Sequence, residues 1–306
     1  MDRDYILHCP NLLKRFCKDT GTPINVYHEP YFEERLETLD IVFGCKKKFE
    51  LFVSELESFS DVQEYFEYYN SLKDKVISTI KENPFFQEFN NQPVTWEKKY
   101  PYPSKDFYKM PLDRKSVISI DMKKANFSAL SVFDKRIFNA DTWEEFLSRF
   151  TPYEHLIGSK YVRQVIMGTC NPKRQVSYEK YLMGELLDYI QERVSVEVFS
   201  FSSDEIILLP MTPLPSHSLD KIQEIVATWK YGHIIRVSLF TLFKLPVTDG
   251  WRRKIFDGEK TTFDFKKMSA DYYHQAVKME MGEHITMDDL VIYHDGRLAR
   301  FLSPIF

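Results

Sequence analysis

The order of β and helical patterns after residue 116 restricts the fold of this sequence more than any other feature. An apolar run over residues 117–120 predicts a short strand that ends at Asp121. Further along the chain, the patterns predict helices at 142–150, 155–168 and 176–193, a β-hairpin at 194–209, a helix at 217–230 and a strand at 233–243. This order predicts an α+β fold in which helices cover an antiparallel sheet.

The sequence before this region has a different character. Between residues 31 and 83, apolar residues recur three or four positions apart among charged ones, which predicts helices. Five prolines then interrupt residues 82–111, a pattern typical of a loop or linker. We therefore expect a mostly helical accessory region at 1–110 and a sheet-containing region with a C-terminal extension at 111–306. In that extension the patterns predict a helix at 268–281 and a strand at 290–302.

The charge of the chain excludes one class of protein and leaves another open. With 41 Lys and Arg against 45 Asp and Glu, the net charge is −4, which argues against a generally basic nucleic-acid binder. Positive charge is concentrated locally: residues 154–180 carry five cationic residues against two acidic ones, and residues 244–267 carry seven against four. Each stretch suits a phosphate backbone. In the second, Arg252, Arg253 and Lys254 are candidate nucleic-acid-binding residues, with Trp251 and Phe256 available for base stacking.

Other features of the sequence indicate the cellular compartment in which we expect the protein. No apolar run approaches the roughly 20 residues of a membrane helix, and the N-terminus lacks the apolar segment of a secretory signal. The four cysteines are scattered without metal-site spacing, which favours reduced thiols over a zinc site. We expect an intracellular protein, in the cytoplasm or nucleus, with no membrane partner. The Lys-, Ile-, Phe-, Tyr- and Asn-rich composition resembles products of AT-rich genomes, viral ones included.

Three features in this order share one chemical logic. A strand delivers Asp121, a helix carries Lys160 and Arg163 in one register, and a hairpin tip presents the adjacent acids Asp204 and Glu205. Phosphoryl transfer depends on positioning and charge neutralisation. Carboxylates on neighbouring strands can bind two Mg²⁺ ions about 3.5–4 Å apart, while the cationic side chains bind a triphosphate.

The same order resembles motifs A, B and C of the palm-domain nucleic-acid polymerases, over about residues 115 to 210. The spacing of Lys160, Gln164 and Gly168 is similar to motif B of the family B enzymes. The spacing of Arg163 and Met167 resembles instead the helix of the family A and single-subunit RNA polymerases, and Asp204-Glu205 looks like motif C of family A. The resemblance is to the superfamily and implies a palm-like sheet.

The resemblance also implies a function and a set of site residues. The function is that of a small nucleotidyltransferase, a DNA or RNA polymerase that uses a nucleoside triphosphate and a nucleic-acid template or primer. Asp121, Asp204 and Glu205 are the implied catalytic residues, and with the backbone carbonyl of Met122 they are the implied ligands of two Mg²⁺ or Mn²⁺ ions. The implied substrate-binding residues are Asn126, Lys160, Arg163, Gln164, Met167, Lys173 and Arg174.

Asn126 bears on the choice of sugar. It lies five residues after Asp121, where polymerases that exclude ribonucleotides often carry a bulky Glu or Tyr. Because Asn is smaller and can form hydrogen bonds, its presence leaves ribonucleotide use open.

Two other functions remain compatible with the sequence. Ser-Asp-Glu on a hairpin also resembles the tRNA-histidine guanylyltransferases and the nucleotide cyclases, which lack a long cationic motif B helix. A catalytically inactive palm that binds nucleic acid or a protein partner is the third possibility. No specific protein partner is indicated.

Overall fold

The computed structural model describes residues 1–96, 100–103, 106–246, 248–257 and 260–305. It is a mixed α+β structure with a helical N-terminal region, so the predicted fold class is confirmed. Residues 97–99 and 104–105 of the predicted linker lie outside the described residues. In the part of the chain that is described, no helix is long and apolar enough to span a membrane.

The N-terminal region consists of six helices, where the sequence patterns predicted helices only from residue 31. They are α1 (Arg3–Leu7), α2 (Pro10–Thr20), α3 (Tyr31–Phe43), α4 (Cys45–Leu56), α5 (Val62–Glu82) and α6 (Pro84–Asn91). The last lies inside the predicted linker, where Asn83 caps it by accepting hydrogen bonds from the N–H groups of Phe85 and Phe86. Pro84 occupies the first helical turn, where proline is compatible with a helix.

The sheet has six antiparallel strands in the order β2-β3-β1-β4-β5-β6. The strands are β1 (Ser116–Met122), β2 (Glu197–Phe201), β3 (Glu205–Leu209), β4 (Ile235–Lys244), β5 (Trp251–Asp257) and β6 (Lys260–Lys266). A separate hairpin, β7 (Val291–His294) and β8 (Arg297–Arg300), replaces the single strand predicted at 290–302. Strands β5 and β6 were not predicted from the sequence pattern.

In the described residues, seven further α-helices surround the sheet or connect its strands. They are α7 (Ala125–Phe133), α8 (Trp143–Leu147), α9 (Glu154–Gly158), α10 (Lys160–Gly168), α11 (Pro172–Gln191), α12 (Pro215–Ala227) and α13 (Ala270–Met281). The α11 residues Leu182, Leu186 and Ile190 recur every four positions and are fully or almost fully buried. They pack with Ile118 and Ile120 of β1, so α11 covers one face of the sheet.

The hydrophobic core continues across residue 110. One cluster of buried side chains joins the N-terminal helices to α7–α10 and α13, from Phe16, Phe49 and Val76 to Trp143 and Val162. Burial of large apolar side chains contributes roughly 1.5–3 kcal/mol each, so this shared core stabilises the N-terminal region and the helices beside the sheet together. The opposite face of the sheet has its own smaller cluster.

Candidate functional site

Strand pairing sets the position of Asp121. In the antiparallel register, Asp121 of β1 lies opposite Glu205 of β3 on one side and Arg236 of β4 on the other. Because directly opposite residues share a face, these three side chains project from the same face of the sheet. Arg236 donates a hydrogen bond to Asp121, with Nη2 at 2.6 Å from Oδ2.

Asp204, the second predicted acid, is held beside the end of β1 by a backbone hydrogen bond. The N–H of Met122, at the end of β1, donates to the carbonyl of Asp204 at 2.9 Å, which joins the β2–β3 turn to β1. The Asp204 carboxylate in turn accepts from the hydroxyls of Ser202 and Ser203. Burial raises the pKa of Asp121, and Asp204 adds to that effect, while Arg236 and Lys160 lower it.

The cationic helix α10 faces these acids. The hydroxyl of Ser159 caps α10 by accepting from the N–H of Val162 at 3.1 Å. Val162, Ile166 and Met167 are buried, so Lys160 and Gln164 lie on a different side of the helix and are exposed. This amphipathic pattern fixes which side chains face the acids.

These residues line one cavity of about 840 Å³. Eight of the side chains singled out from the sequence are in its wall: Asp121, Met122, Asn126, Lys160, Arg163, Gln164, Met167 and Asp204. The residues of the wall that sequence reasoning did not assign include Lys123, Lys124, Gln175, Val176, Glu179 and Arg236.

The two predicted cations in this wall are unpaired. Arg163 is partly buried, and burial lowers its pKa. Its buried Nε has no hydrogen-bond partner among the residues that the structure describes. Neither Arg163 nor Lys160 forms an ion pair with any described residue. Two lysines of the same wall do have partners: Lys123 donates a hydrogen bond to the carbonyl of His233 at 2.9 Å, and Lys124 forms an ion pair with Glu144. The unpaired cations are therefore the ones available for an anion.

Glu179 is the most unusual of the residues that were missed. It is 5% exposed, and burial together with the neighbouring Asp204 raises its pKa to about 7. A signal was available in the sequence, because Glu179 lies one turn before Leu182 and Met183 on the apolar stripe of α11. A carboxylate on a buried stripe calls for a functional or structural partner.

Glu205 is close to the cavity but not in its wall. Its carboxylate accepts a hydrogen bond from the hydroxyl of Ser119 at 2.6 Å, and burial raises its pKa. The Glu205 side chain thus lies on the same face of the sheet as Asp121 but is turned toward Ser119.

Asn126 lies in the wall of the cavity. Its Oδ1 accepts a hydrogen bond from the N–H of Phe127 at 2.9 Å.

Lys173 and Arg174 lie outside the wall of the cavity. Lys173 is exposed on the first turn of α11. The guanidinium carbon of Arg174 lies 4.9 Å from the ring centroid of Trp96 and 5.3 Å from that of Phe89, and the group donates to the carbonyl of Gln92. Arg174 therefore connects α11 to the segment after α6.

The three candidate nucleic-acid-binding residues on β5 do not form one patch. Arg252 and Lys254 share one face and Arg253 faces the other, because side chains alternate along a strand. Arg252 is paired with Glu280, and Arg253 donates from Nε to Asp264 at 2.6 Å. Lys254 is the exposed member of the three.

Within the described ranges, no three His, Cys, Asp or Glu side chains are grouped so that they could bind a metal ion by themselves. The oxygen atoms at the cavity are of the type that Mg²⁺ prefers, and Mg²⁺ commonly uses one or two carboxylates together with water and substrate phosphates. Asp121 and Asp204 supply that number.

Comparisons of this chain with protein-family models, with curated proteins and with solved structures find no match.

Proposed function

We propose that this protein is a small nucleotidyltransferase that adds nucleotides to a nucleic acid by phosphoryl transfer from a nucleoside triphosphate. One observation carries the proposal: the unpaired cations Lys160 and Arg163 and the acids Asp121 and Asp204 line the same cavity. Phosphoryl transfer needs both kinds of group, one to bind phosphate oxygens and one to bind divalent cations.

The position of the two cations supports phosphate binding. Lys160 and Arg163 are three residues apart, and both side chains reach the cavity from α10. Among the described residues, the buried Nε of Arg163 has no acceptor, which costs about 1–3 kcal/mol. A triphosphate supplies several acceptor oxygens, and a guanidinium can bind two of them at once.

The acids would bind Mg²⁺ or Mn²⁺. Asp121 and Asp204 would be the ligands, together with the backbone carbonyl of Met122, the residue after Asp121. Glu205 lies opposite Asp121 on β3. When bound, the ions supply charge neutralisation at the phosphates and orient the attacking hydroxyl. Asp121 must exchange its contact with Arg236 for the cation, and the exposed Arg236 side chain is free to move, being 65% exposed.

Incubation with labelled nucleotides tests the proposal. The protein is mixed with labelled ribo- or deoxyribonucleoside triphosphates, Mg²⁺ or Mn²⁺, and primed or unprimed DNA or RNA, and the products are resolved on a gel. We expect elongated products with wild type, a loss of at least a hundredfold in Asp121→Asn and Asp204→Asn, and full activity in Asp74→Asn, a control at an exposed position of α5. Cyclic nucleotide without elongation would indicate a cyclase instead.

A second candidate function is binding of a nucleotide or nucleic acid without catalysis. The contact between Arg236 and Asp121 favours it, because this arginine already neutralises the first acid. This function predicts that a nucleotide raises the melting temperature equally with and without divalent cations, and that no labelled product forms.

A further inference from the structure

Within the described part of the chain, no hydrogen bond or ion pair accounts for the burial of Glu179. Its side chain is in the wall of the cavity and the residue is 5% exposed. No described residue donates a hydrogen bond to its carboxylate, and the charge of Asp204, which acts on it, has the same sign. A buried carboxylate without donors is costly, so a ligand that brings donors to this place would be bound favourably.

Its position in the wall indicates which part of a nucleotide it meets. Glu179 is electrostatically coupled to Asp204, at the acidic part of the cavity. The same helix also contributes Pro172 and Val176, which are uncharged and exposed, and Asn126 lies on α7, which packs against α11. In a nucleoside triphosphate, the sugar is the group between the phosphates and the base. Pro172, Val176 and Glu179 follow one another along α11, and Glu179 is the one on which Asp204 acts. A sugar at Glu179 would therefore have the base toward Pro172 and the phosphates toward Asp204.

A ribose presents two neighbouring hydroxyls, and a carboxylate presents two acceptor oxygens. Each hydroxyl can donate to one oxygen, as acidic residues do toward ribose in dinucleotide-binding sites. A deoxyribose lacks the 2′-hydroxyl and leaves one acceptor unsatisfied. Gln175 is less suited, because an amide has a single acceptor oxygen and that of Gln175 is held in place by hydrogen bonds from its Nε2 to the carbonyls of Met167 and Cys170.

We propose that Glu179 binds the 2′- and 3′-hydroxyls of the sugar and selects ribonucleoside triphosphates over their deoxy counterparts. The inference rests on the proposed function for the presence of a nucleotide in the cavity. Asn126 is compatible with it, since its Oδ1 is engaged with the N–H of Phe127 and its side chain is shorter than a Glu or Tyr at that position.

Equilibrium binding tests the inference without requiring turnover. ATP and dATP are titrated calorimetrically with Mg²⁺, in the absence of nucleic acid, into wild type, Glu179→Gln, Glu179→Ala and the control Glu192→Gln at the exposed C-terminal end of α11. We expect wild type and the control to bind ATP about ten- to a hundredfold more tightly than dATP. In Glu179→Ala the ratio falls to about one through weaker ATP binding, with dATP affinity changed by less than about threefold.

Glu179→Gln provides a second test in case Glu179→Ala does not fold, because it removes a buried charge while keeping the shape of the side chain. Its ratio should fall between those of wild type and Glu179→Ala. The inference is overturned if wild type does not discriminate, if Glu179→Ala keeps the wild-type ratio, or if neither nucleotide binds. Discrimination that depends on Glu179 without elongation in the gel assay would reject the proposed function alone, and elongation with an unchanged ratio would reject the inference alone.

Discussion

The hydroxyl of Ser159 donates a hydrogen bond to the carboxylate of Asp19 at 3.1 Å, across 140 residues of sequence. Asp19 is 1% exposed and also accepts hydrogen bonds from Arg15. Its Oδ2 lies 3.2 Å from Nε2 of His155. Since Ser159 caps α10, this buried network connects the N-terminal helices to the start of the helix that carries Lys160. The N-terminal region thereby positions one wall of the candidate site.

Replacing Ser159 should therefore affect both stability and nucleotide binding. Ser159→Ala removes the cap and leaves Asp19 with one donor fewer, so we expect a loss of about 2–3 kcal/mol in the free energy of unfolding. Thr142→Ala is the control: Thr142 caps α8 by accepting from the N–H of Glu145 at 3.0 Å, at an exposed position, and should cost about 1 kcal/mol. Urea denaturation measures both, and calorimetry should show several-fold weaker ATP binding for Ser159→Ala only. Equal effects of the two variants would argue against the positioning role.

The pair of Arg236 and Asp121 should compete with divalent cations. Removing this arginine frees the carboxylate, so we expect Arg236→Ala to bind Mn²⁺ about two- to fivefold more tightly than wild type. Arg136→Ala is a matched control, because Arg136 pairs with Asp134 at the same 2.6 Å and is likewise 65% exposed. Mn²⁺ titration followed by electron paramagnetic resonance gives the affinities. Weaker Mn²⁺ binding in Arg236→Ala would show that the arginine supports the site rather than occupying it.

Which strands could be predicted from the sequence depended on where their side chains lie. The strand ending at Asp121 and the hairpin at Asp204 were recognisable because they are apolar runs with buried side chains. Strands β5 and β6 were not, since charged residues within them, Arg252 and Arg253 on β5 and Asp264 on β6, conceal the alternation. Their partners Glu280 and Asp264 become visible only in the folded chain, where pairing and ring contacts make these arginines compatible with a sheet.

Part of the candidate site was also predictable, because its acids follow these recognisable strands. Asp121, Lys160 and Asp204 carry recognisable chemistry at recognisable positions in their elements. Glu205 differs: the strand register places it opposite Asp121, and only the folded structure shows that its carboxylate turns to the hydroxyl of Ser119. Arg236 was missed because its relation to Asp121 depends on β4 pairing with β1, across 115 residues of sequence.

The buried carboxyl of Glu179 should make stability depend on pH. Its pKa is about 7 in the folded protein against an ordinary value of 4.5, so between these values the folded state binds more protons than the unfolded chain. The free energy of unfolding therefore falls as the pH rises through this window, by up to about 3 kcal/mol for this group. Burial raises the pKa of Asp121 and Glu205 as well, and these groups act in the same direction.

The measurement compares Glu179→Gln with wild type by urea denaturation at pH 5 and pH 8. We expect the variant to gain stability relative to wild type at pH 8 and to differ little at pH 5. The difference between the two proteins is the useful quantity, because burial lowers the pKa of His274 to about 4, which makes stability rise with pH below about 6.5 in both. An equal pH dependence in the two proteins would contradict the expected burial of a charged Glu179.

Substitution of Arg174 distinguishes a structural role of this residue from a role in substrate binding. Its guanidinium stacks on Trp96 and Phe89, and a lysine keeps the charge but not the planar group. We expect Arg174→Lys to lose about 1–2 kcal/mol in the free energy of unfolding and to keep its affinity for ATP, because the side chain is not in the wall of the cavity. Lys173→Ala, one residue earlier at an exposed position, is the control and should change stability by less than about 0.5 kcal/mol. If either variant weakened ATP binding tenfold while its stability stayed unchanged, the assignment of that residue to the substrate, made from the sequence, would be correct and the stacking would be secondary.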